Sequence, residues 1–137
     1  MKISNPFKSH ARPGSFSEAV KSQKMKVVGH VAVAGADAYV GALGVLKPEA
    51  GYPPIMAGWM AAGHAAYGIY RAWPFGTTYS GDPCLIEKDP RDVAVGVGHL
   101  ITAGGLAGMA AGAGPVVVPI IAVGQITALA GEYLTKD

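Results

Sequence analysis

Apolar residues fall into four stretches along the chain, separated by turn residues and by one longer polar segment. The stretches run from about 27 to 46, 55 to 70, 93 to 112 and 116 to 131. Each is about 16 to 20 residues long, which exceeds the usual length of a β-strand. Each is also rich in alanine, the residue with the strongest intrinsic helix preference. The pattern therefore predicts an all-α fold of four apolar, Gly/Ala-rich helices.

The polar segment at residues 71–92 divides these helices into two pairs. It contains three prolines, two glycines and most of the charges of the second half of the chain. Such a composition is typical of a connection rather than of a helix. The sequence thus predicts one helical bundle over residues 27–137, with hairpins at 27–70 and 93–134.

The two predicted hairpins resemble each other in places. The tripeptide Val-Gly-His occurs at 28–30 and again at 97–99, an offset of 69 residues, while Gly58 and Gly124 match at an offset of 66. Self-similarity at a nearly fixed offset indicates an internal duplication. Chance matching in Ala/Gly-rich sequence is the alternative interpretation, and the sequence does not decide between them.

Positive charge is concentrated at the beginning of the chain. Residues 1–26 hold six basic side chains against one acidic one, Glu18, and the sequence predicts that they form an extended arm. A basic arm suits nucleic acid, an anionic lipid surface or an acidic patch on a neighbouring subunit. The alternative without a binding partner is a solvated tail that keeps an apolar protein in solution. The candidate contact residues of the arm are Lys2, Lys8, Arg12, Lys21, Lys24 and Lys26.

Small residues recur at helical spacing within the apolar stretches. Three glycines at positions 104, 108 and 112 share one helical face, and Gly58 and Ala62 repeat the spacing in the second stretch. Small residues four apart let two helices approach closely. The residues predicted to pack helices or subunits together are Gly58, Ala62, Gly104, Gly108, Gly112 and Gly124.

Side chains that could take part in acid–base, nucleophilic or metal-binding chemistry are few and scattered. His30 and His99 occupy equivalent places in the two hairpins, and a structural role is favoured over a paired metal or proton site because no further ligand recurs with them. His64 is expected to be packed in the bundle or to lie at an interface, and Asp37 to bond a neighbouring subunit or a helix end. Cys84 is a lone thiol without an indicated base. The sequence therefore predicts no enzyme activity, no metal site and no cofactor.

Helices that are apolar on every side must be covered by something. A chain of 137 residues is too small to bury four such helices inside itself. Lipid could cover the apolar helix surfaces, although the low content of Leu, Ile and Phe and the charge of Asp37 oppose insertion into a membrane. Identical neighbouring subunits could cover these surfaces instead.

A resemblance to a known family bears on this choice. Residues 12–17 (RPGSFS) with Lys21 and Lys24 look like the N-terminal arm of major capsid proteins from archaeal rod-shaped and filamentous viruses. Residues 112–115 (GAGP), followed by a last helix ending at Tyr133, resemble their C-terminal region. The resemblance implies helical subunits that polymerise into tubes around double-stranded DNA. Because basic residues are few beyond position 26, the chain looks more like the capsid proteins of large spindle-shaped, tailed relatives.

The sequence therefore favours a structural virion protein, present in many copies, that assembles through apolar helix faces into a tube or spindle-shaped shell. Double-stranded DNA or nucleoprotein would be its partner inside the shell. Two alternatives stay open. One is a small four-helix integral membrane protein, and the other is a nucleoprotein that wraps DNA through the basic arm.

Overall fold

The all-α prediction is confirmed by the computed structural model, which describes residues 17–18, 21, 24–47 and 52–133. Four helices of 17 to 23 residues make up most of this part of the chain. The first of these helices begins three residues inside the predicted arm, and Ser17, Glu18 and Lys21 of the arm are also helical. The helices are α1 (Lys24–Leu46), α2 (Tyr52–Ala72), α3 (Pro90–Ala110) and α4 (Val117–Tyr133).

The connection between α2 and α3 contains a small hairpin that the sequence did not predict. Strand β1 (Phe75–Thr77) pairs antiparallel with β2 (Pro83–Leu85), and Gly81 adopts a positive φ of 88° in the turn between them. Strands of three residues are too short to show an alternating pattern. The hairpin therefore leaves no periodic signal in the sequence.

The helices run alternately up and down. Lys26 near the start of α1 and Arg71 near the end of α2 both contact Glu132 near the end of α4, and Arg71 also contacts Asp92 in the first turn of α3. One end of the bundle therefore holds the starts of α1 and α3 and the ends of α2 and α4. We call it the charged end. The far end carries Lys47 and the turn at residues 111–116, which has no charged residue.

Glycine pairs bring α3 close to both of its neighbours. A Cβ atom on Gly96 would lie 2.7 Å from the carbonyl oxygen of Gly68 on α2, and one on Gly98 would lie 2.7 Å from that of Gly124 on α4. Such distances are shorter than real Cβ contacts, so only glycine allows these backbones to approach so closely. The helix α3 is therefore the centre of the fold.

Helix α1, in contrast, packs loosely on the other three. Gly29, the counterpart of Gly98 in the predicted duplication, has no atom within 4 Å of where its Cβ would be. The residues of α1 that are buried include Val27, Asp37, Val40 and Gly41. The two hairpins thus differ in packing, and the duplication stays a prediction.

The apolar core lies mainly in the half of the bundle nearer the far end. Its buried members come from all four helices, and Val40 and Leu106 are at most 1% exposed. A second, smaller contact joins Val27 to Tyr133 at the charged end. Polar side chains occupy the space between these two apolar layers. The residues of the main core are Val40, Ala57, Ala61, Leu106, Met109, Val117 and Ile121.

Helix α3 begins with a side-chain cap. The carboxylate of Asp89 accepts a hydrogen bond of 2.9 Å from the backbone N–H of Arg91, and Pro90 occupies the first helical position. The cap satisfies a backbone donor that has no partner within the helix. Pro90 has no N–H to satisfy and is preset for the helix.

Replacing Asp89 with alanine should lower the free energy of unfolding by about 1 kcal/mol, because that donor loses its acceptor. Thermal unfolding followed by circular dichroism would measure the loss. Asp89→Ser keeps a capping oxygen and should stay close to the wild type. Equal losses for the two variants would contradict a capping role.

Candidate functional site

Four polar side chains, one from each helix, meet inside the bundle and form what we call the buried polar cluster. The members are Asp37 on α1, His64 on α2, His99 on α3 and Gln125 on α4. Asp37, His64 and His99 are 1%, 6% and 9% exposed. Each lies in the middle part of its helix, where the surrounding sequence is apolar. The cluster therefore lies well away from both ends of the bundle.

Hydrogen bonds join the cluster into one chain. His64 Nε2 lies 3.0 and 3.2 Å from the two carboxylate oxygens of Asp37. His64 Nδ1 lies 2.7 Å from Nδ1 of His99, and the two rings stack with centroids 5.0 Å apart. The side-chain amide of Gln125 donates to Oδ2 of the Asp37 carboxylate. Asp37 is thus held by both α2 and α4.

The contact between the two imidazoles restricts their protonation. One of the facing Nδ1 atoms must carry a proton and the other must accept it. With an ionised Asp37, the Nε2 atom of His64 donates to the carboxylate. Neutral His64 then accepts at Nδ1 from His99. The cluster in this state carries one negative charge, on Asp37.

A second group of polar residues closes the charged end, and we call it the ion-pair cluster. Arg71 donates to Asp92 over 2.6 and 3.0 Å and to Glu132 over 3.0 Å. Lys26 also donates to Glu132, whose side chain is 3% exposed. A buried carboxylate is tolerated when cations satisfy it. Two cations and two anions make this cluster neutral.

Aromatic residues connect the two clusters. The Tyr67 hydroxyl accepts from Arg71 over 2.7 Å, and its ring meets the His99 ring edge-on with centroids 4.8 Å apart. On the other side of the bundle, His30 Nδ1 lies 2.5 Å from the hydroxyl of Tyr133. Polar groups therefore continue from the charged end to the centre of the bundle.

Two cavities meet at the buried polar cluster. The larger, of about 560 Å³, lies towards the charged end and is lined by His30, His64, His99 and Glu132 among others. The smaller, of about 400 Å³, lies between α1 and α4 towards the far end and has mainly apolar walls. Asp37 and Gln125 line both cavities. The hydrogen bond between these two residues thus stands at the boundary between the cavities.

The cluster corrects one expectation about its members. Asp37 does not bond a helix end but contacts His64 and Gln125 of its own chain. His30 and His99 have separate partners, Tyr133 and His64, which is consistent with the structural role favoured for them over a paired site. His64 is packed inside the bundle and is 6% exposed. One sequence feature could have predicted the cluster: each apolar stretch contains a strongly polar residue, namely Asp37, His64, His99 or Gln125.

The basic residues proposed for the arm fall into three groups. Lys2, Lys8 and Arg12 lie outside the described residues, whereas Lys21 and Lys24 are exposed. Lys26 is 43% exposed and bonds Glu132 within the same chain. Lys26 therefore helps to hold α1 on α4 and is not a residue of a free arm.

The predicted small-residue contacts are met in part. Gly124 packs tightly on α3, and a Cβ on Gly58 would touch Ala110 at 4.0 Å. The predicted face of three glycines is wrong, because α3 ends at Ala110 and Gly112 lies in the following turn with a φ of 84°. Gly108 packs against the start of α4, where a side-chain carbon of Val117 lies 3.2 Å from its Cβ position. Gly104 and Ala62 are exposed. The sequence at 112–115 (Gly-Ala-Gly-Pro) is typical of a helix stop and a turn, and α3 ends just before it, at Ala110.

The His, Cys, Asp and Glu side chains of the chain are also the possible ligands of a metal ion. Within residues 24–47 and 52–133, no three His, Cys, Asp or Glu side chains converge in an arrangement that would hold a metal ion. Cys84 lies in β2, half-buried, and is a free thiol. The site is thus characterised by hydrogen bonds between ionisable groups and by two adjoining cavities.

No protein-family model, curated protein or solved structure is detectably similar to this chain. The function must therefore be inferred from the arrangement of its own residues.

Proposed function

We propose that the chain is an integral membrane protein whose four helices cross the bilayer and enclose the buried polar cluster. One observation carries the proposal: ionisable side chains are buried beside the apolar core of the bundle, while large apolar side chains cover its outside. Intramembrane ionisable residues typically face the interior of a helix bundle and pair with one another.

The outer surface supports this arrangement. Among the described residues, 26 large hydrophobic side chains are substantially exposed, including Trp59 at 78% and Ile126 at 67%. Water-soluble monomers rarely expose large contiguous apolar patches, so a surface with this many exposed apolar side chains is expected to be covered. Lipid chains would cover these side chains without any loss of hydrogen bonds, since helices satisfy their own backbone groups.

The helix lengths match a bilayer. Three segments, Lys24–Leu46, Pro90–Ala110 and Gly114–Tyr133, are long and apolar enough to cross a membrane. Helix α2 has 21 residues, which at 1.5 Å per residue extend about 31 Å. The hydrocarbon core of a bilayer is about 30 Å thick. The four antiparallel helices are therefore suited to span it together.

The distribution of charged and aromatic residues predicts which end of the bundle faces the cytoplasm. Residues 1–26 carry a net charge of +5, and the positive-inside rule places such a segment in the cytoplasm. The charged end of the bundle would then face the cytoplasm. Tyr70, Trp73 and Phe75 are exposed at that end, where aromatic rings favour the boundary between lipid and water.

Membrane fractionation tests the proposal directly. The wild-type protein should remain in membranes washed with alkaline carbonate and should dissolve only with detergent. Val123 is 54% exposed near the middle of α4. Val123→Lys would place a charge in the bilayer at a cost of about 2.5–3.5 kcal/mol, so the amount retained in the membrane should fall.

Leu85→Lys is the matched control, because Leu85 is 74% exposed in the hairpin at the charged end. Its retention should equal that of the wild type. Release of the wild-type protein by carbonate, together with unchanged behaviour of Val123→Lys, would contradict membrane insertion. In water, a charge at an exposed position alters stability by only about 0.5 kcal/mol.

A second candidate, the self-assembling virion shell, is favoured by the outward-facing glycines. Gly29, Gly35, Gly63 and Gly104 have no atom within 4 Å of their Cβ positions. Smooth glycine faces suit close contact with helices of another copy. Electron microscopy of protein prepared without detergent would support the shell if it revealed regular tubes or spindles. Small particles obtained only in detergent would exclude it.

A further inference from the structure

We infer that the buried polar cluster is a proton pathway that connects the charged end of the bundle with Asp37 at its centre. The inference rests on the proposed membrane location and adds a transported species, the proton. It starts from three observations on the described residues: a continuous His–His–Asp chain, a buried carboxyl group contacted by an imidazole and an amide, and two cavities that meet at that group.

The surroundings of Asp37 allow it to take up one proton. Asp37 is contacted by the His64 imidazole and the Gln125 amide, which donate hydrogen bonds but bring no formal positive charge when neutral. The cations Arg71 and Lys26 bond Asp92 and Glu132 instead. A charged carboxylate inside an apolar bundle is costlier than a neutral carboxyl group. One added proton neutralises the cluster.

The hydrogen bonds provide a route for that proton. When a proton binds Nε2 of His99, His99 can release its Nδ1 proton to His64, and His64 can release its Nε2 proton to Asp37. Each N–H bond that breaks is replaced by a new bond on the next atom, so both histidines end neutral and Asp37 becomes a carboxyl group. The distances of 2.7 and 3.0 Å are within hydrogen-bond reach.

The cavities supply access on both sides. Ionisable groups from every helix face the larger one: His30 and Asp37 from α1, His64 and Tyr67 from α2, His99 from α3, and Glu132 from α4. Protons can therefore enter from the charged end. The smaller cavity is apolar apart from Asp37 and Gln125. Release to the far end requires that the Asp37–Gln125 hydrogen bond opens and water enters this cavity.

A proton fits the cluster better than a metal ion. The two facing Nδ1 atoms are 2.7 Å apart, which leaves no room for a metal between them, because each zinc–nitrogen bond needs about 2.0 Å. Oxygen-seeking cations require about six or more oxygen ligands, whereas this cluster offers the Asp37 carboxylate and the Gln125 carbonyl. Only a proton uses all the contacts present.

Proton flux into liposomes tests the inference. The purified protein is reconstituted with an entrapped pH-sensitive dye, and a potassium diffusion potential is applied with valinomycin. The wild-type protein should change the internal pH faster than protein-free liposomes. Asp37→Asn, which preserves the size of the side chain, should reduce the flux to the protein-free level. Glu87→Gln, at an exposed position of the connection, should conduct like the wild type.

A variant of His64 separates proton transfer from structural support. His64→Ala should lower the flux about a hundredfold, the usual contribution of a positioned proton carrier. Added imidazole should restore it by occupying the vacated space, which would not happen if His64 only supported the fold. Failure of imidazole to restore the flux would contradict the relay.

A measurement on the unaltered protein covers the case in which these variants do not fold. Dicyclohexylcarbodiimide reacts with protonated carboxyl groups in apolar surroundings, and it should label Asp37 and stop the flux together. Labelling only at other carboxyl groups, or flux equal to that of protein-free liposomes, would overturn the inference. Co-flotation of the protein with liposomes is measured independently of the proton flux, as a test of membrane insertion. Loss of flotation would refute the membrane proposal, whereas flotation without flux would refute only the pathway.

Discussion

Replacing Gly98 with valine should force α3 and α4 apart and lower the free energy of unfolding by about 3 kcal/mol or more. A Cβ atom at this position would overlap the backbone nitrogen of Ala128 and lie 2.7 Å from the carbonyl oxygen of Gly124. Backbone atoms cannot rotate away as the end of a side chain can. Unfolding of the detergent-solubilised protein, titrated with sodium dodecyl sulfate, would measure the loss.

Gly104 provides the control for this prediction on the same helix. It has no atom within 4 Å of its Cβ position, so Gly104→Ala adds a methyl group without a clash. Alanine also favours helix over glycine by about 0.8–1 kcal/mol. The Gly104→Ala protein should therefore be as stable as the wild type or more stable. A similar loss from both substitutions would show that the close approach of α3 and α4 is not a main source of stability.

Glu132→Gln should lower the free energy of unfolding by about 3–5 kcal/mol, the usual cost of removing one partner from a buried ion pair. Glu132 is 3% exposed and accepts from both Lys26 and Arg71, so its loss leaves the mostly buried Arg71 side chain with one carboxylate partner, Asp92, and the Tyr67 hydroxyl. The same unfolding titration would measure this effect. The ion-pair cluster joins all four helices, and the variant should also loosen α1.

Lys26→Gln should cost much less, about 1 kcal/mol or below, because Lys26 is 43% exposed and water already screens its charge. Comparing Arg71→Gln, Glu132→Gln and the double variant would isolate the coupling between the two residues. A coupling near zero would mean that Arg71 gains its stability from Asp92 and Tyr67 instead.

The sequence was informative about the elements and much less so about their contacts. Four apolar stretches predicted four helices, and the glycines at 112 and 114 predicted the end of α3, because length, composition and turn residues act locally. The helix-packing glycines were chosen less well. Gly108 and Gly124 were predicted to pack and do so, but Gly104 was also predicted and is exposed, whereas Gly68, Gly96 and Gly98 form close contacts that were not predicted. Small residues lie on every side of these helices, so spacing alone does not identify the buried face.

The contacts within the candidate site could not be predicted from the sequence either. Asp37, His64, His99 and Gln125 were visible as isolated polar residues, but their convergence depends on how α1 lies against three later helices. The matching Val-Gly-His tripeptides directed attention to His30 and His99, whose side chains have different partners. Partners between 27 and 103 residues apart are set by tertiary packing rather than by local pattern.

The position of Asp37 on the first helix has a consequence for biosynthesis. Its partner His64 follows 27 residues later, and Gln125 follows 88 residues later. At about 5–20 residues per second, the ribosome needs roughly 4–18 s to add the last partner after Asp37 has been made. During this interval the nascent α1 carries a carboxyl group that has at most its His64 partner and lacks Gln125. If α1 enters the bilayer as proposed, its insertion should therefore be completed only after α2 and α4 have been made.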